Sequence, residues 1–268
     1  MELARYWNTL RHLKPVQIYG RLWFLLYRPR VVSSPVPMRR PRIGPWVNCA
    51  PRVQSWVPPD EFIFLGERHS ISAGGWNDPQ RTPLWIYNLH YFDDLASDTS
   101  ADRAYDHGVL ISRWIEENQP PRGKGWDPYP LSLRICNWVK WCAVGHPTPE
   151  GFDQSLATQA RWLLGRIEYH LGANHLFVNG KALVIAGAFF QGVEADNWRR
   201  VGMRIIEQEI LEQVLADGGH FERSPMYHAL CTEDLLDLIN VATAWPGIIS
   251  NDVVQHWQST VDRKSTRL

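Results

Sequence analysis

The sequence lacks an excess of charge of either sign, because its 268 residues include 28 Lys and Arg against 28 Asp and Glu. Proteins that hold nucleic acid without sequence preference usually carry a strong positive field over one face. The balanced charge therefore argues against nucleic acid as a partner. It still allows a local basic cluster that holds a polyanion.

Cysteine is also scarce, with four residues in the whole chain. They form no CxxC pair and no metal-finger spacing, and no dense cluster of His, Cys and Asp accompanies them. We therefore expect no metal and no other cofactor. Reduced thiols in the core are the simplest interpretation of Cys49, Cys136, Cys142 and Cys231.

Long hydrophobic runs are absent too, since the longest is too short to span a bilayer. The N-terminal segment 1–30 interrupts its apolar residues with Arg, His, Lys and Gln, and it offers no small-residue cleavage site. Such a segment is not typical of a signal peptide. The sequence as written predicts a soluble, cytoplasmic protein, and a periplasmic location would require an incomplete N-terminus.

Most of the chain carries a helical pattern. Residues 3–28 predict two short helices around Pro15, the proline-rich stretch 29–59 predicts an extended connection, and 61–71 predicts a short hairpin or edge strand. Apolar residues at three- and four-residue spacing then predict a series of helices. These are 85–97, 102–118, 130–144, 150–171, 176–191, 195–215, 225–243 and 247–260.

The short connections between these helices favour antiparallel packing of neighbours. No repeat of fixed period is visible, which is compatible with a toroid of diverged helix pairs and argues against a regular solenoid. We predict a mainly all-α fold, an incomplete (α/α) toroid of antiparallel helical hairpins. The expected division is 1–60 for the N-terminal helices and connection, 61–260 for the toroid, and 261–268 for a non-native or truncated tail.

Two helix junctions carry residues suited to catalysis. In GANHLFVNGKAL (172–183), Asn174 and His175 follow a predicted helix end at Gly172 and precede the next predicted helix. They could donate hydrogen bonds to the charge that develops when a proton is removed beside a carboxylate. The alternatives are that Asn174 caps the following helix and that His175 satisfies a buried carbonyl.

The second junction lies in LADGGHFERSPMYHALCTEDLLDL (215–238), where Ser224 and Pro225 predict a helix start. Tyr227 would then lie in the first turn, at the positive end of the helix dipole, which favours an anionic substrate. A tyrosine there can act as base or acid in β-elimination at a uronic acid. Packing is the alternative role for Tyr227. Other candidate substrate contacts in the segment are Glu222, Arg223 and His228, and the first two could instead form an exposed ion pair.

Further polar and aromatic residues are weaker candidates for substrate contact. Arg134 and Asn137 share a helix face, and a guanidinium matches a sugar carboxylate with two hydrogen bonds. Asp93 and Asp94 invite a paired-carboxylate interpretation, but adjacent helical residues point about 100° apart, so a solvated face or a cap is favoured. The remaining candidates are Asn88, His90 and Tyr91, with Trp126, Trp138 and Trp141 assigned to either cleft or core.

Four segments together resemble the heparinase II/III-type polysaccharide lyases. They are WIYNLHYFDDL (85–95), WDPYPLSLRICNWVKW (126–141), ANHLFVNGKAL (173–183) and DGGHFERSPMYH (217–228). The resemblance implies a helical toroid followed by a β-sandwich domain, and cleavage of uronic-acid polysaccharides without water. It also implies that Asn174 neutralises the substrate carboxylate, that His175 matches the neighbouring histidine of alginate-type relatives, and that Tyr227 is the catalytic tyrosine.

The sequence departs from that pattern at its end. The β-sandwich is missing, and with it the further His or Tyr that relatives contribute, while the ending DRKSTRL resembles a translated cloning adaptor. Our leading hypothesis is a lyase for an acidic polysaccharide, impaired by loss of its second domain. The alternatives are a non-catalytic saccharide-binding or assembly module and a toroid glycoside hydrolase with two facing carboxylates.

Overall fold

A computed structural model describes residues 14–32 and 34–265, and this part of the chain is mainly helical. A small antiparallel sheet in the order β1-β2-β3 lies near its start. The helices are α1 (Pro15–Leu26), α2 (Ile71–Gly74), α3 (Pro83–Tyr91), α4 (Ala104–Glu117), α5 (Pro128–Ala143), α6 (Phe152–Leu164), α7 (Ala173–Phe189), α8 (Val193–Gln213), α9 (Pro225–Ala244) and α10 (Asn251–Ser265), and the strands are β1 (Trp56–Val57), β2 (Glu61–Phe64) and β3 (Glu67–Ser70).

The architecture is the predicted incomplete toroid of antiparallel helical hairpins, and the α7–α8 hairpin shows how it is built. Gly180 lies against Gly202, and Gly187 against Ala195. A Cβ atom at Gly202 would lie 2.5 Å from the carbonyl oxygen of Gly180, so only glycine permits this distance between the two backbones. The small residues therefore set the spacing between α7 and α8.

Tryptophan fills much of the core. Trp114 and Trp138 are fully buried, and their rings meet edge to face with centroids 5.5 Å apart. Trp126 and Trp141 are buried as well, so Trp126, Trp138 and Trp141 lie in the core and not in the cleft.

Two of the cysteines, Cys136 and Cys231, are buried free thiols, but Cys49 is exposed and its prediction as a core thiol was wrong.

Most helix predictions are confirmed, and the differences are at the ends. The hairpin predicted for 61–71 is present, whereas the helix predicted for 3–14 lies outside the described residues. Helix α3 is shorter than predicted because Phe92 adopts a left-handed conformation at its C-terminus. The last helix continues to Ser265, so residues 261–265 belong to α10, and residues 266–268 lie outside the described part.

The proline-rich connection is hydrogen-bonded to the helices. The Arg40 amide donates to the carbonyl oxygen of Phe189 at 2.6 Å, and the Ile43 amide donates to that of Ala244 at 3.0 Å. A Cβ atom at Gly44 would lie 1.9 Å from the carbonyl oxygen of Thr243, so the connection approaches the end of α9 more closely than a larger residue would allow. These contacts fix the connection across the ends of α7 and α9.

Asp94 was predicted to lie on a solvated face or to cap a helix, and the structure shows that this prediction was wrong. It is buried and accepts hydrogen bonds from the backbone amides of Ser55 and Trp56 at 2.7 and 2.9 Å. Its other oxygen accepts from Arg103 at 2.5 Å and lies 2.8 Å from Nε2 of His107. Burial would raise the pKa of Asp94, but these bonds outweigh it and hold that pKa below its ordinary value.

Replacing Asp94 by Asn is expected to destabilise the fold by about 2–3 kcal/mol, since hydrogen bonds to a charged group are lost. Because the pKa of Asp94 is lowered in the folded chain, this contribution is present above the ordinary Asp range and is lost as the pH falls through the lowered pKa. Urea denaturation at pH 7 measures the effect. The exposed Asp98, changed to Asn, is the control and should shift stability by less than about 0.5 kcal/mol. Equal effects for the two variants would contradict the assignment.

Among residues 14–32 and 34–265, no helix combines the length and the apolar character that crossing a bilayer requires.

Candidate functional site

Asn174 and His175 lie in the first turn of α7, which begins at Ala173 and not at the predicted residue 176. Gly172 occupies the N-cap position with no side-chain cap bond, so Asn174 does not cap the helix. His175 meets a carboxylate, that of Glu168, and not a backbone carbonyl. Both side chains therefore stand at the positive end of the α7 dipole with partners other than those of a structural cap.

Ala173 adopts a left-handed conformation with φ of 48°, directly before Asn174. This conformation costs an L-residue roughly 1–2 kcal/mol. Replacing Ala173 by Gly is therefore expected to stabilise the chain by roughly 0.5–1 kcal/mol, after allowing for the greater freedom of glycine in the unfolded state. The control is Ala229→Gly at an exposed position inside α9, which should destabilise by about 1 kcal/mol. Thermal unfolding curves show whether each variant is more or less stable than the unchanged chain. If both variants were less stable, the backbone at Ala173 would not be strained.

Tyr129, near the start of α5, is the residue around which the predicted trio gathers. The Asn174 side chain hydrogen-bonds its hydroxyl, and Tyr227 lies within electrostatic range of it. The His175 ring lies against the Tyr129 ring with centroids 4.4 Å apart. Burial, followed by the charge of Asp234, raises the pKa of Tyr129, so its hydroxyl stays protonated at neutral pH. Helices α5, α7 and α9 thus contribute to one site.

Tyr227 is half-buried in the first turn of α9, as predicted. The hydroxyl of Ser224 accepts a hydrogen bond from the Tyr227 amide at 3.4 Å, and Pro225 occupies the first helical position. The His220 ring stacks on the Tyr227 ring with centroids 5.9 Å apart. Burial and then the positive charge of Lys264 lower the pKa of His220 to about 4, so a neutral imidazole faces the tyrosine at pH 7.

A cavity beside Asn174 and Tyr129 is lined by charged groups from several elements. Arg52 of the connection reaches Glu233 of α9 at 2.7 Å. Below them, buried Lys181 pairs with Asp234 and Asp237 at 2.6 Å each. Lys140 contacts Asp237 as well. The side chains around the cavity are Arg52, Asp93, Tyr129, Leu133, Cys136, Asn137, Lys140, Asn174, Val178, Lys181, Leu230, Glu233 and Asp234.

Arg134 was wrongly predicted to grip a sugar carboxylate. Its side chain is fully buried, donates to Gln159 at 2.9 Å and to the carbonyl oxygen of Gly125 at 2.8 Å, and lies 3.8 Å from the Trp114 ring. These groups replace the water that a guanidinium would otherwise bind, and they leave no room for a substrate. Arg134 therefore joins α5 to its neighbours in the core.

His90, Trp126 and His228 were also wrongly predicted as substrate contacts, since all three are buried in protein contacts. Nε2 of His90 lies 3.1 Å from the carbonyl oxygen of Trp76, and Nδ1 accepts from Trp114 at 3.0 Å. Burial and then the Arg134 charge lower the pKa of His90 to about 3. The Trp126 indole donates to the carbonyl oxygen of Asn118 at 3.0 Å, and Nε2 of His228 meets that of Lys264 at 2.9 Å.

The other predicted contacts lie nearer the site, and their roles stay predictions. Asn137 lines the cavity, although its amide already donates to Asp93 at 2.8 Å. Tyr91 is buried against Tyr129 with ring centroids 5.9 Å apart. Asn88 is half-buried and donates to its own helix, while Glu222 and Arg223 are exposed in the loop before Tyr227.

The sequence interpretation missed Tyr129, Glu168, Arg52 and Lys140. One signal could have identified Tyr129, because it follows Pro128 at a helix start much as Tyr227 follows Pro225. Glu168 and Arg52 carried no such signal. They lie in loops, and only the folded chain brings them beside α7 and α9.

Comparisons with known proteins agree with this architecture. Residues 148–266 match the family described as the Heparinase II/III N-terminus. A heparin-sulfate lyase of Bacteroides stercoris is 33% identical over 146 residues, which are 52% of this chain and 21% of that protein. One of Bacteroides thetaiotaomicron is 29% identical over 175 residues, which are 58% of this chain and 25% of that protein. The chain thus spans about a fifth to a quarter of the curated relatives it matches.

Solved structures share the fold. A heparan sulfate lyase HepC from Pedobacter heparinus aligns with a TM-score of 0.56 at 21% identity, covering 78% of this chain and 36% of its own. A heparinase III gene product aligns with a TM-score of 0.53 at 21% identity, covering 76% and 37%. The toroid hairpins, the matched residues 148–266 and the sequence relatives agree that this chain is similar to the N-terminal helical part of heparinase II/III proteins.

Proposed function

We propose that this chain is the helical part of a lyase that cleaves a uronic-acid-containing polysaccharide by β-elimination. The observation that supports the proposal is that Asn174 hydrogen-bonds Tyr129, that the His175 ring packs against it, and that Tyr227 lies within electrostatic range of it. Relatives named heparin-sulfate lyases support a sulfated glycosaminoglycan as substrate class. Catalysis by the whole protein would also use groups from a second, β-sandwich domain.

In this mechanism, Asn174 and His175 donate hydrogen bonds to the uronate carboxylate. Removal of the adjacent proton spreads negative charge onto that carboxylate, and fixed donors stabilise the charge without reorganising at the moment of reaction. Both residues stand at the N-terminus of α7, whose dipole adds to the effect. Tyr129 holds the Asn174 side chain in place through its hydroxyl.

Tyr227 carries the proton. Its hydroxyl takes the proton beside the carboxylate or gives one to the departing glycosidic oxygen. The His220 ring that stacks on the Tyr227 ring is neutral at pH 7, because burial and the Lys264 charge lower its pKa to about 4. The products are a shortened chain and a sugar with a carbon-carbon double bond.

The glycoside hydrolase alternative fits the site less well. It requires two carboxylates facing each other across a cleft, with Asn174 remote from Tyr227. Asp94 is committed to Arg103 and His107, while Asn174 hydrogen-bonds Tyr129 and Tyr227 lies within electrostatic range of it. This arrangement supports elimination.

The test is product analysis with the full product of the gene that encodes this chain. Incubation with heparan sulfate is expected to release products that absorb in the ultraviolet band of unsaturated uronates. Alginate and hyaluronan test other uronates, and a neutral glucan is the control. If no uronate polymer yields this absorbance while reducing ends accumulate, hydrolysis replaces elimination. If neither signal appears but a polymer binds, the saccharide-binding alternative replaces catalysis.

A further inference from the structure

Glu168 is a buried carboxylate in the loop between α6 and α7, with 6% of its surface exposed. Its Oε2 lies 3.2 Å from Nδ1 of His175 and accepts from Nδ2 of Asn179 at 3.4 Å. Carboxylates are seldom buried unless they are paired. The contact with His175 is therefore the reason that the charge can remain in the interior.

The position of Glu168 is fixed by the same helix that carries His175. The Glu168 amide donates to Oδ1 of Asn179 at 2.9 Å, and Nδ2 of Asn179 donates to the hydroxyl of Ser132 at 3.0 Å. Asn179 is fully buried, one turn after His175 on α7. This network holds the loop, and with it the carboxylate, at a set distance from the imidazole.

The imidazole of His175 is constrained on two sides. Nδ1 faces Glu168, and one face of the ring lies against Tyr129. The side chain keeps 33% of its surface exposed, and the remaining nitrogen, Nε2, makes no hydrogen bond to the described residues. An ionised carboxylate can only accept, so Nδ1 must carry a hydrogen. Nε2 then accepts when the ring is neutral and donates only when the ring is cationic.

We propose that Glu168 is a positioning residue that holds His175 with a hydrogen on Nδ1, so that Nε2 of the doubly protonated ring donates to the substrate carboxylate. The tautomer is inferred from the contacts of His175 with Glu168 and Tyr129. The hydrogen bond to substrate also depends on the proposed function. The other groups facing the pair are His170 and Arg166 in the loop, Tyr129 on α5, and Tyr87 on α3. Glu168 supplies the negative charge that offsets Arg166 and any proton on His170.

The tautomer is tested on the present chain by NMR with ¹⁵N-labelled histidine, with His175→Asn to assign the signals. At pH 8 the unchanged chain should show His175 protonated at Nδ1. Glu168→Gln should keep this form, since the amide oxygen still accepts, whereas Glu168→Leu should shift the ring towards Nε2 protonation. If Leu left the tautomer unchanged, or if the unchanged chain were protonated at Nε2, the positioning role would be overturned.

The catalytic consequence is tested in the full gene product by a double-mutant cycle. Glu168→Gln is expected to lower kcat by roughly 10–100-fold, which is the usual effect of removing a group that orients a catalytic side chain. Combined with His175→Ala, it should add almost nothing, because the charge acts through the imidazole. Additive losses would show that Glu168 has only a structural role. A protein without lyase activity would defeat the proposed function, yet the NMR result would still decide the positioning role.

Discussion

Replacing Tyr227 by Phe is expected to lower kcat/KM for elimination by roughly 10²–10⁴-fold, the usual contribution of a general acid or base. The change removes only the hydroxyl. The ring stacking on His220 and the hydrogen bond from the Tyr227 amide to Ser224 do not involve that oxygen, so the fold should be unaffected. Initial rates of unsaturated product formation by the full gene product, with circular dichroism as a check on folding, measure the effect.

The matched control is Tyr105→Phe. Tyr105 is 84% exposed at the start of α4, so losing its hydroxyl should leave both rate and stability unchanged. A Tyr227→Phe protein with full activity would remove Tyr227 from the mechanism. If Tyr129→Phe instead abolished turnover while Tyr227→Phe did not, the proton carrier would be Tyr129.

The second large effect is expected for Lys181→Met, which should destabilise the fold by about 3–5 kcal/mol because it leaves buried carboxylates without their cation. Lys181 has 3% of its side chain exposed and pairs with Asp234 and Asp237 at 2.6 Å each. At ~2–4 °C per kcal/mol, the melting temperature should fall by about 10 °C. Methionine matches the length of lysine, so the loss reports the charge more than the volume.

The pH dependence separates charge from packing. Burial would raise the pKa of Asp237, but Lys140 and Lys181 lower it below its ordinary value, and the pKa of Lys181 is raised well above its own. The stabilisation is therefore constant between the ordinary Asp value of about 3.9 and the ordinary Lys value of about 10.4. It is lost as the pH falls through the lowered pKa of Asp237 or rises through the raised pKa of Lys181.

In Lys181→Met the loss should be smaller at pH 5 than at pH 7, since a proton can discharge a buried carboxylate that has lost its partner. The control is Lys124→Met. Lys124 pairs with Asp127 at 3.3 Å, but half of its side chain is exposed, so this change should cost under about 1 kcal/mol. A loss in Lys181→Met that is small, or that does not vary with pH, would contradict the role of the buried network.

The helices could be predicted from the sequence because their apolar spacing is local and strong, and the start of α9 could be predicted from Ser224 and Pro225. The polar residues of α5 could not be placed in this way. Arg134 and Asn137 share one face of the helix, yet Arg134 is fixed by Gln159 and Trp114 from distant segments while Asn137 lines the cavity. Spacing along one helix does not say which neighbours will cover it.

The same reason explains why the sequence pointed to three candidate residues and did not point to Tyr129. Asn174, His175 and Tyr227 stand in segments that resemble a known family, whereas Tyr129 gains its importance from contacts with α7 and α9 that exist only in the folded chain. Glu168 is similar, since a glutamate in a loop is ordinarily solvated and this one is held inside by contacts with Asn179 and His175 that exist only in the folded chain.

The proline-rich connection has a consequence for exchanging domains between relatives. Its amides at Arg40 and Ile43 bind carbonyl oxygens at the ends of α7 and α9, and Arg52 pairs with Glu233 at the edge of the cavity beside Asn174. A chimera whose junction is placed at residue 60 would separate these partners and mix two lineages within one site. Residues 38–52 should therefore be transferred together with α7 and α9, because their contacts border the same cavity.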